Sequence, residues 1–245
     1  APDTAGTMQD MQPSRPRNFC DTCAIRNRAI CAELDEREID LLNTIGRRRT
    51  LTAGEQLMWE GDEAVLVANV IEGVLKLSSH SADGKEQILG LAFPADFIGR
   101  PFGQSTPYSV EALTDVLVCV FRRADFDRFA REHPKLEHKL LERTLAELDR
   151  TRKWMLLLGR MTAEQRVATF LLDLSTRFPV EEEVGTQPGA FALRLSRGQI
   201  ADVLGLTIET VSREFTKLKK AGVVSLPNRR EVAIEDREAL EDLAS

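Results

Sequence analysis

The sequence predicts an α+β chain in three parts: an antiparallel β domain over residues 34–123, a long helical region over 124–160, and a winged helix-turn-helix domain over 161–245. Three observations carry this reading. Short β-branched runs separated by turn residues fill positions 47–123, a stretch free of helix breakers follows Pro134, and two capped helical segments meet at Gly205 before a basic two-stranded segment.

At 245 residues with 42% apolar content, the chain is long enough to bury one large core or two modest ones. No run approaches the eighteen or so apolar residues of a membrane span. The stretch APDTAGTMQDMQPSRPRN has neither an apolar signal core nor an Arg-rich amphipathic pattern. Residues 1–18 are therefore expected to be a flexible tail, and the chain cytoplasmic and free of membrane. In a reducing cytosol, clustered cysteines point to metal binding or redox chemistry more than to disulfides. The segment NFCDTCAIRNRAIC holds Cys20, Cys23 and Cys31, three of the four cysteines, in a loop expected over residues 19–33.

The elements follow in order. AELDEREIDLLNTIG reads as a short helix with Leu34, Ile39, Leu41, Leu42 and Ile45 on one side and Gly46 as its stop. VANVIEGVLKLSSH, EQILGLAF and TDVLVCVFRR read as strands, punctuated by GD, EG, DG and PAD turns. The fourth cysteine, Cys119, falls within the last of these strands and is expected deep in the β domain. Helical signals return with ADFDRFAREH, and Pro134 stands at a plausible first position of a helix running to about Gly159. Along it, Leu141, Leu145, Leu148 and Met155 alternate in steps of four and three, with Arg152 interrupting the seam and Arg150 and Lys153 beside it. This pattern fits a dimer interface or one amphipathic core helix. TAEQRVATFLLDLSTRF is a further amphipathic helix, and VEEEVGTQPGAFA a polar loop.

In LSRGQIADVLGLTIETVSREFTKLKKAGVV, Ser196 and Gln199 form a capping box, Gly205 supplies the turn, Thr207 caps the second helix and Gly222 ends it. Ile200, Val203, Leu204, Leu206, Val211, Phe215 and Leu218 form the shared apolar face, with Ala201 where the helices cross. Glu209, Ser212, Arg213 and Lys217 remain outward near the start of the second helix, where a recognition helix meets base edges. VVSLPNRREVAI reads as a wing with Arg229 and Arg230 at its tip, suited to phosphates. The chain carries a net charge of -6, yet residues 194–230 hold eight Lys and Arg, Arg197 among them, against three acids. That basic island coincides with the helix pair and favours double-stranded DNA as partner.

A β-rich domain containing TAGEQLMWEGD and VIEGVLKL, a long linking helix and a terminal winged helix together resemble the cyclic-AMP receptor protein superfamily. Within it, E-T-V-S-R at Glu209 to Arg213 resembles the recognition helix of the FNR branch, oxygen-responsive regulators of anaerobic metabolism. The resemblance covers residues 19–245. It implies a β-roll or jelly-roll sensor domain, a dimerisation helix, a homodimer, and a two-fold TTGAT-N4-ATCAA promoter site. Arg213 would donate two bonds to guanine, Glu209 accept from a cytosine amino group, and Ser212 sit beside a thymine methyl. RNA polymerase is an implied partner through the hairpin Asp83 to Gln87, where Lys85 replaces an acid common in the family. The resemblance also implies a [4Fe-4S] cluster held by Cys20, Cys23, Cys31 and Cys119. Many members place five residues between the second and third cysteines; here Ala24 to Ile30 makes seven.

Ligand type alone leaves zinc and an iron-sulfur cube open, because four thiolates suit both. Arg26 and Arg28 would offset the charge of a thiolate-ligated cluster or form a solvated face; Ile30 would shield Cys31 or simply pack. The alternative is a regulator of the same superfamily gated by a small-molecule effector, with the cysteines holding structural zinc. A cyclic nucleotide is not expected, since DFIGRPFGQSTPYSVEAL has Arg100 directly after the glycine and no arginine later. His80, His133 and His138 lie in polar stretches where exposure is the default. No nucleophile, base and orienter stand in a recognisable spacing, so an enzyme is not expected.

Overall fold

A computed structural model of the chain describes residues 19–80, 86–177, 190–228 and 231–245. The expected tail over 1–18, residues 83–85 of the proposed polymerase hairpin, most of the polar loop after position 177, and both Arg229 and Arg230 lie outside the described residues.

The chain enters through turns at Cys20–Cys23 and a single 3-10 turn, Ile30–Glu33. Helix α1, Glu36–Ile45, starts at a reciprocal cap: Asp35 accepts from the Glu38 amide and the Glu38 carboxylate accepts from the Asp35 amide, both at 2.9 Å. Ile39 and Leu42 are buried, while Leu41 is 54% exposed. The expected apolar side therefore narrows to the i, i+3 stripe, since Leu41 lies a 100° step off it. Gly46 ends α1 by leading directly into β1, Gly46–Leu51, with φ -84. A side chain there would stand 2.9 Å from the Phe121 ring, so space, not conformation, requires glycine.

Seven more strands complete the β domain: β2 Gln56–Met58, β3 Leu66–Glu72, β4 Leu75–His80, β5 Glu86–Ala92, β6 Phe97–Ile98, β7 Ser109–Ala112 and β8 Val116–Arg122. They form two four-stranded antiparallel sheets, ordered β1-β8-β3-β6 and β2-β7-β4-β5. Between them pack Leu51, Val70, Leu75, Val110 and Val118, all fully buried. Strand β3 has five consecutive buried residues, because its other face is covered as well. That cover is a second core in which Ile25, Ile30, Leu42, Phe121, Phe126 and Leu136 meet. It is contributed by the cysteine loop, α1, α2 (Arg123–Glu132) and the start of α3 (Pro134–Arg160).

Pro134 occupies the first turn of α3, whose 27 residues extend about 40 Å at 1.5 Å per residue. Leu136, Leu140 and Leu157 face inward and are buried. Leu141, Leu145, Leu148 and Met155 line the other face and are between 43% and 69% exposed. A core helix would hide these residues, so the seam is an uncovered apolar stripe. Arg150, expected beside the seam, turns inward: its guanidinium takes both oxygens of Asp96 at 2.9 and 3.3 Å. His133 also departs from simple exposure, stacking on Phe129 at 3.8 Å.

The C-terminal domain runs α4 Ala163–Arg177, β9 Ala190–Ala192, α5 Arg197–Leu204, α6 Ile208–Lys220, β10 Val224–Asn228, β11 Glu231–Ile234 and α7 Arg237–Leu243. Its sheet is ordered β10-β11-β9, so the wing has a third strand where the sequence suggested loop. Three residues are too few for a period-two pattern to show. Arg177 at the end of α4 bonds Asp173 at 2.8 Å and approaches Asp96 to 3.7 Å, linking this domain to the β domain through the acid that holds Arg150.

Gly73, between β3 and β4, has φ +84, and a β-carbon there would sit 2.3 Å from the Asp115 carbonyl oxygen. Gly54 has a similar φ of +87 with nothing within 4 Å. Gly54→Ala should cost about 1 kcal/mol from the left-handed backbone alone, and Gly73→Ala at least about 2 kcal/mol more. Urea unfolding of the two variants checks this; equal losses would contradict the close approach.

Candidate nucleic-acid interface and metal centre

Local chemistry builds the helix pair. Ser196 accepts from the Gln199 amide at 3.2 Å and Gln199 returns to the Ser196 amide at 2.8 Å, which starts α5. Gly205 turns the chain in the left-handed region at φ +61, and Thr207 caps α6 by accepting from the Thr210 amide. At the far end, the Gly222 amide bonds the Lys219 carbonyl and the Val223 amide the Leu218 carbonyl, a Schellman closure. Ile200, Val203, Leu204, Val211, Phe215 and Leu218 are all buried between the helices, and Leu206 is half-buried.

The outward face of α6 presents Glu209, Ser212, Arg213 and Lys217, all exposed. Three of these lie within two turns of the helix start, the part of a recognition helix that meets base edges. Arg197 does not join that face freely: its guanidinium lies 3.4 Å over the Phe215 ring, and burial lowers its pKa. Sequence reasoning missed Glu214, which is buried between the two cations it touches. Arg213 Nε donates to it at 3.3 Å, and Lys217 Nζ stands 2.9 Å from its second oxygen.

At the other end of the molecule the four cysteines share one neighbourhood. Cys20, Cys23 and Cys31 come from the entry loop; Cys119 comes from β8, where it is half-buried and not deep in the domain. It faces the loop because side chains alternate along β8: Leu117, Cys119 and Phe121 lie on the sheet face that α1 and the loop cover, and Val116, Val118 and Val120 on the other. Across the register it stands between Arg48 and Asn69. Burial, then the charges of its neighbours Cys20, Cys23 and Cys31, pushes the Cys119 thiol up to about 12. Burial, then Cys31 and Cys23, raises Cys20 to about 11, and burial raises Cys31 against the pull of Arg26.

The cations here are fixed in place. Arg26 donates to the carbonyls of Cys31 at 2.7 Å and Leu34 at 3.0 Å; Arg48, which sequence reasoning did not single out, donates to the Phe19 carbonyl at 2.7 Å. Arg28 is exposed. Ile30 is fully buried beside Cys31. Asn69 is 2% exposed, and its Oδ1 has no hydrogen-bond donor among the described residues. Among the described residues no three His, Cys, Asp or Glu side chains converge closely enough to hold a metal ion. Zinc would draw four sulfurs to about 2.3 Å from one point, so the thiols are gathered more loosely than a single ion requires.

A third feature lies between β4, β5 and the inner face of α3, a hollow of about 420 Å³ walled by Leu77, Ile98, Tyr108, Trp154 and Leu158. Its charged residues are two acids, Asp96 and Glu147. Arg100 is exposed, with its side chain over Gly103, and does not line it. No helix among the described residues is long and apolar enough to cross a membrane.

Comparison with known proteins agrees with this arrangement. Residues 165–243 match the Crp-like helix-turn-helix domain and residues 48–133 the cyclic nucleotide-binding domain. The chain is 43% identical over 220 residues to the transcriptional activator protein FnrL of Cereibacter sphaeroides, covering 89% of this chain and 88% of that one. It is 41% identical to the nitrogen fixation regulation protein FixK of Bradyrhizobium diazoefficiens, over 85% of this chain and 87% of that one. Among solved structures, FixK2 from Bradyrhizobium japonicum superposes with a TM-score of 0.74 at 32% identity, covering 82% of this chain and 98% of that one. The first of these relatives is named a transcriptional activator and the second a regulation protein.

A thiol reacts as its thiolate, so a raised pKa keeps Cys20 and Cys119 neutral and slow at pH 8. In the folded, metal-free chain, iodoacetamide should modify both at least about a hundredfold more slowly than in urea, and faster only as the pH nears 11 to 12. Equal rates in the two states would contradict the shared, buried neighbourhood.

Proposed function

The chain belongs to the CRP/FNR family of transcription activators, in the branch that includes FnrL and FixK, and on that premise we propose that it senses oxygen. In this reading it binds a two-fold TTGAT-N4-ATCAA promoter site as a homodimer, in its anaerobic state, with a [4Fe-4S] cluster on Cys20, Cys23, Cys31 and Cys119. RNA polymerase is its further partner. The observation that carries the proposal is the meeting of three loop thiols with a fourth from a distant strand in one half-buried neighbourhood.

The donor set fits such a cluster. When bound it supplies an oxygen-labile group whose loss signals air. The chain's own residues do the rest. Arg26 and Arg48 place positive charge near the thiolates, lowering the cost of ionising Cys20. Ile25 and Ile30 close the inner side against water. Arg26 ties the loop to its own exit through two carbonyls, so order among the thiols becomes order in residues 31–34.

Those residues pack on α3. Ile30 and Cys31 share a core with Leu136 and Leu140, and Lys139 reaches Glu33 at 3.4 Å. On the opposite side of α3 the seam Leu141, Leu145, Leu148 and Met155 awaits a second copy. Arg152 interrupts it, its charge partly answered by Asp149 at 3.2 Å. Arg152 meeting its own symmetry mate opposes association, which sets the dimer near balance and lets loop order tip it. Only a dimer presents two α6 helices to half-sites one turn of DNA apart.

The rival reading, an effector-gated regulator with zinc, has less support. Cyclic nucleotides carry a phosphate, and among the described residues the hollow beside α3 is lined by two carboxylates and no cation. We therefore infer no cyclic nucleotide.

Anaerobically purified protein should contain iron and sulfide, bind the two-fold site, and lose both its visible absorption and its DNA affinity in air. Cys119→Ser should lack both properties from the start; a variant that keeps them removes Cys119 from the set. Arg152→Leu should dimerise and bind DNA without iron, read by sedimentation and gel shift. A wild type already fully dimeric in air at micromolar concentration would overturn dimerisation as the switch and leave the orientation of the reading helices as the moving part.

A further inference from the structure

Glu214 is the second acid of α6 and stands on its inward side, 3% exposed, in line with Val211 and Leu218. Its carboxylate reaches outward. One oxygen accepts from Arg213 Nε at 3.3 Å and lies 3.2 Å from Lys217 Nζ, and the other oxygen lies 2.9 Å from the same ammonium. The side chains of Arg213 and Lys217 remain 62% and 54% exposed. A hidden anion thus grips two cations whose tips face solvent.

We propose that Glu214 is a positioning residue for DNA reading: it fixes Arg213 and Lys217 in their reading geometry before DNA arrives. The proposal rests on the assignment of Arg213 to a guanine. Buried carboxylates are retained where they have a partner, and here both partners are the groups that the reading assigns to DNA.

Two consequences follow from the geometry. Arginine has five N–H donors in a planar fork, and occupying Nε leaves the two terminal nitrogens as a parallel pair. That pair matches the O6 and N7 acceptors of guanine, so the tether selects end-on, bidentate reading over looser contact with any phosphate. Because the side chain is already docked, less rotamer freedom remains to be lost on binding. The second consequence is electrostatic. The carboxylate cancels one of two positive charges on this part of α6, which restrains attraction to DNA of any sequence. Glu214 therefore acts in opposite directions on the two kinds of binding, strengthening choice of base and weakening indiscriminate affinity. A residue that merely supported the fold would move both in the same direction.

The test uses the full-length protein in its anaerobic, DNA-binding state. Affinities are measured by fluorescence anisotropy across salt concentrations for three duplexes: the two-fold site, the same site with the guanine pairs replaced, and a scrambled sequence. Glu214→Met keeps length and apolar fit at a buried position, and the two freed cations can turn to solvent. It should cut the preference for guanine by about tenfold, raise affinity for scrambled DNA, and steepen the log-log salt dependence by about one as Lys217 becomes free to pair with phosphate. Glu214→Gln retains an acceptor for Nε and should keep most of the base preference. If Glu214→Met folds poorly, the Gln variant still decides: a loss of guanine preference with its hydrogen bond available would overturn the positioning role. So would a Met variant that keeps full preference, or one that loses specific and scrambled binding in equal proportion. Arg213→Ala separates the two layers. If it leaves guanine preference intact, the reading of Arg213 fails; if it abolishes the preference while Glu214→Met does not, the positioning role alone fails.

Discussion

The contact between the cysteine loop and the N-terminal half of α3 is where the two ends of this molecule become mechanically related. Ile25, Ala29 and Ile30 are essentially fully buried against Leu136, Phe126 and Phe121, so the loop is part of the core and not an appendage. Fixing a loop costs about 1 to 2 kcal/mol of backbone entropy per residue. Apolar burial and the two carbonyl bonds of Arg26 offset that cost here, but the thiols of Cys20, Cys31 and Cys119, which burial keeps neutral, add nothing to it. A group that ionises and ligates all four cysteines would. Any event at the thiols therefore alters how firmly one face of α3 is held, while its other face carries the exposed seam.

The same helix communicates downstream. Arg150 grips Asp96 in the β domain, and Arg177 of α4 approaches the same carboxylate while its guanidinium lies 4.4 Å over Phe93. Gln199 at the start of α5 also donates to the Leu113 carbonyl in the β domain. The reading domain is thus docked on the β domain and α3 by a few polar contacts over a continuous apolar core. Polar contacts of this kind fix orientation more than they add stability.

Much of this was legible in the sequence because it is local. The Ser196 capping box, the Gly205 turn and the Thr207 cap depend on residues three or four apart, and the strands and α3 announce themselves by period and by Pro134. What was not legible depends on pairing over distance or on which side of a helix is covered. Leu41 and Arg150 were placed by neighbourhood in sequence, but a 100° step decides that one is exposed and the other half-buried against Asp96. Arg197 counts as a free cation until Phe215 is seen beneath it. Glu214 reads as one acid in a basic helix, and only its burial shows that it holds Arg213 and Lys217. Strand β9 is too short to carry a pattern at all. The four-cysteine set came from the family resemblance; that Cys119 faces the loop follows from alternation along β8, which puts it on one face with Leu117 and Phe121.

Amide hydrogen exchange on anaerobic protein, compared with the same sample after air, addresses the central coupling most directly. Air should remove protection from residues 20–34, and the loss should continue into residues 136–148 of α3, with the β domain's sheet amides unchanged. Loss confined to the loop, with α3 as protected as before, would contradict the coupling.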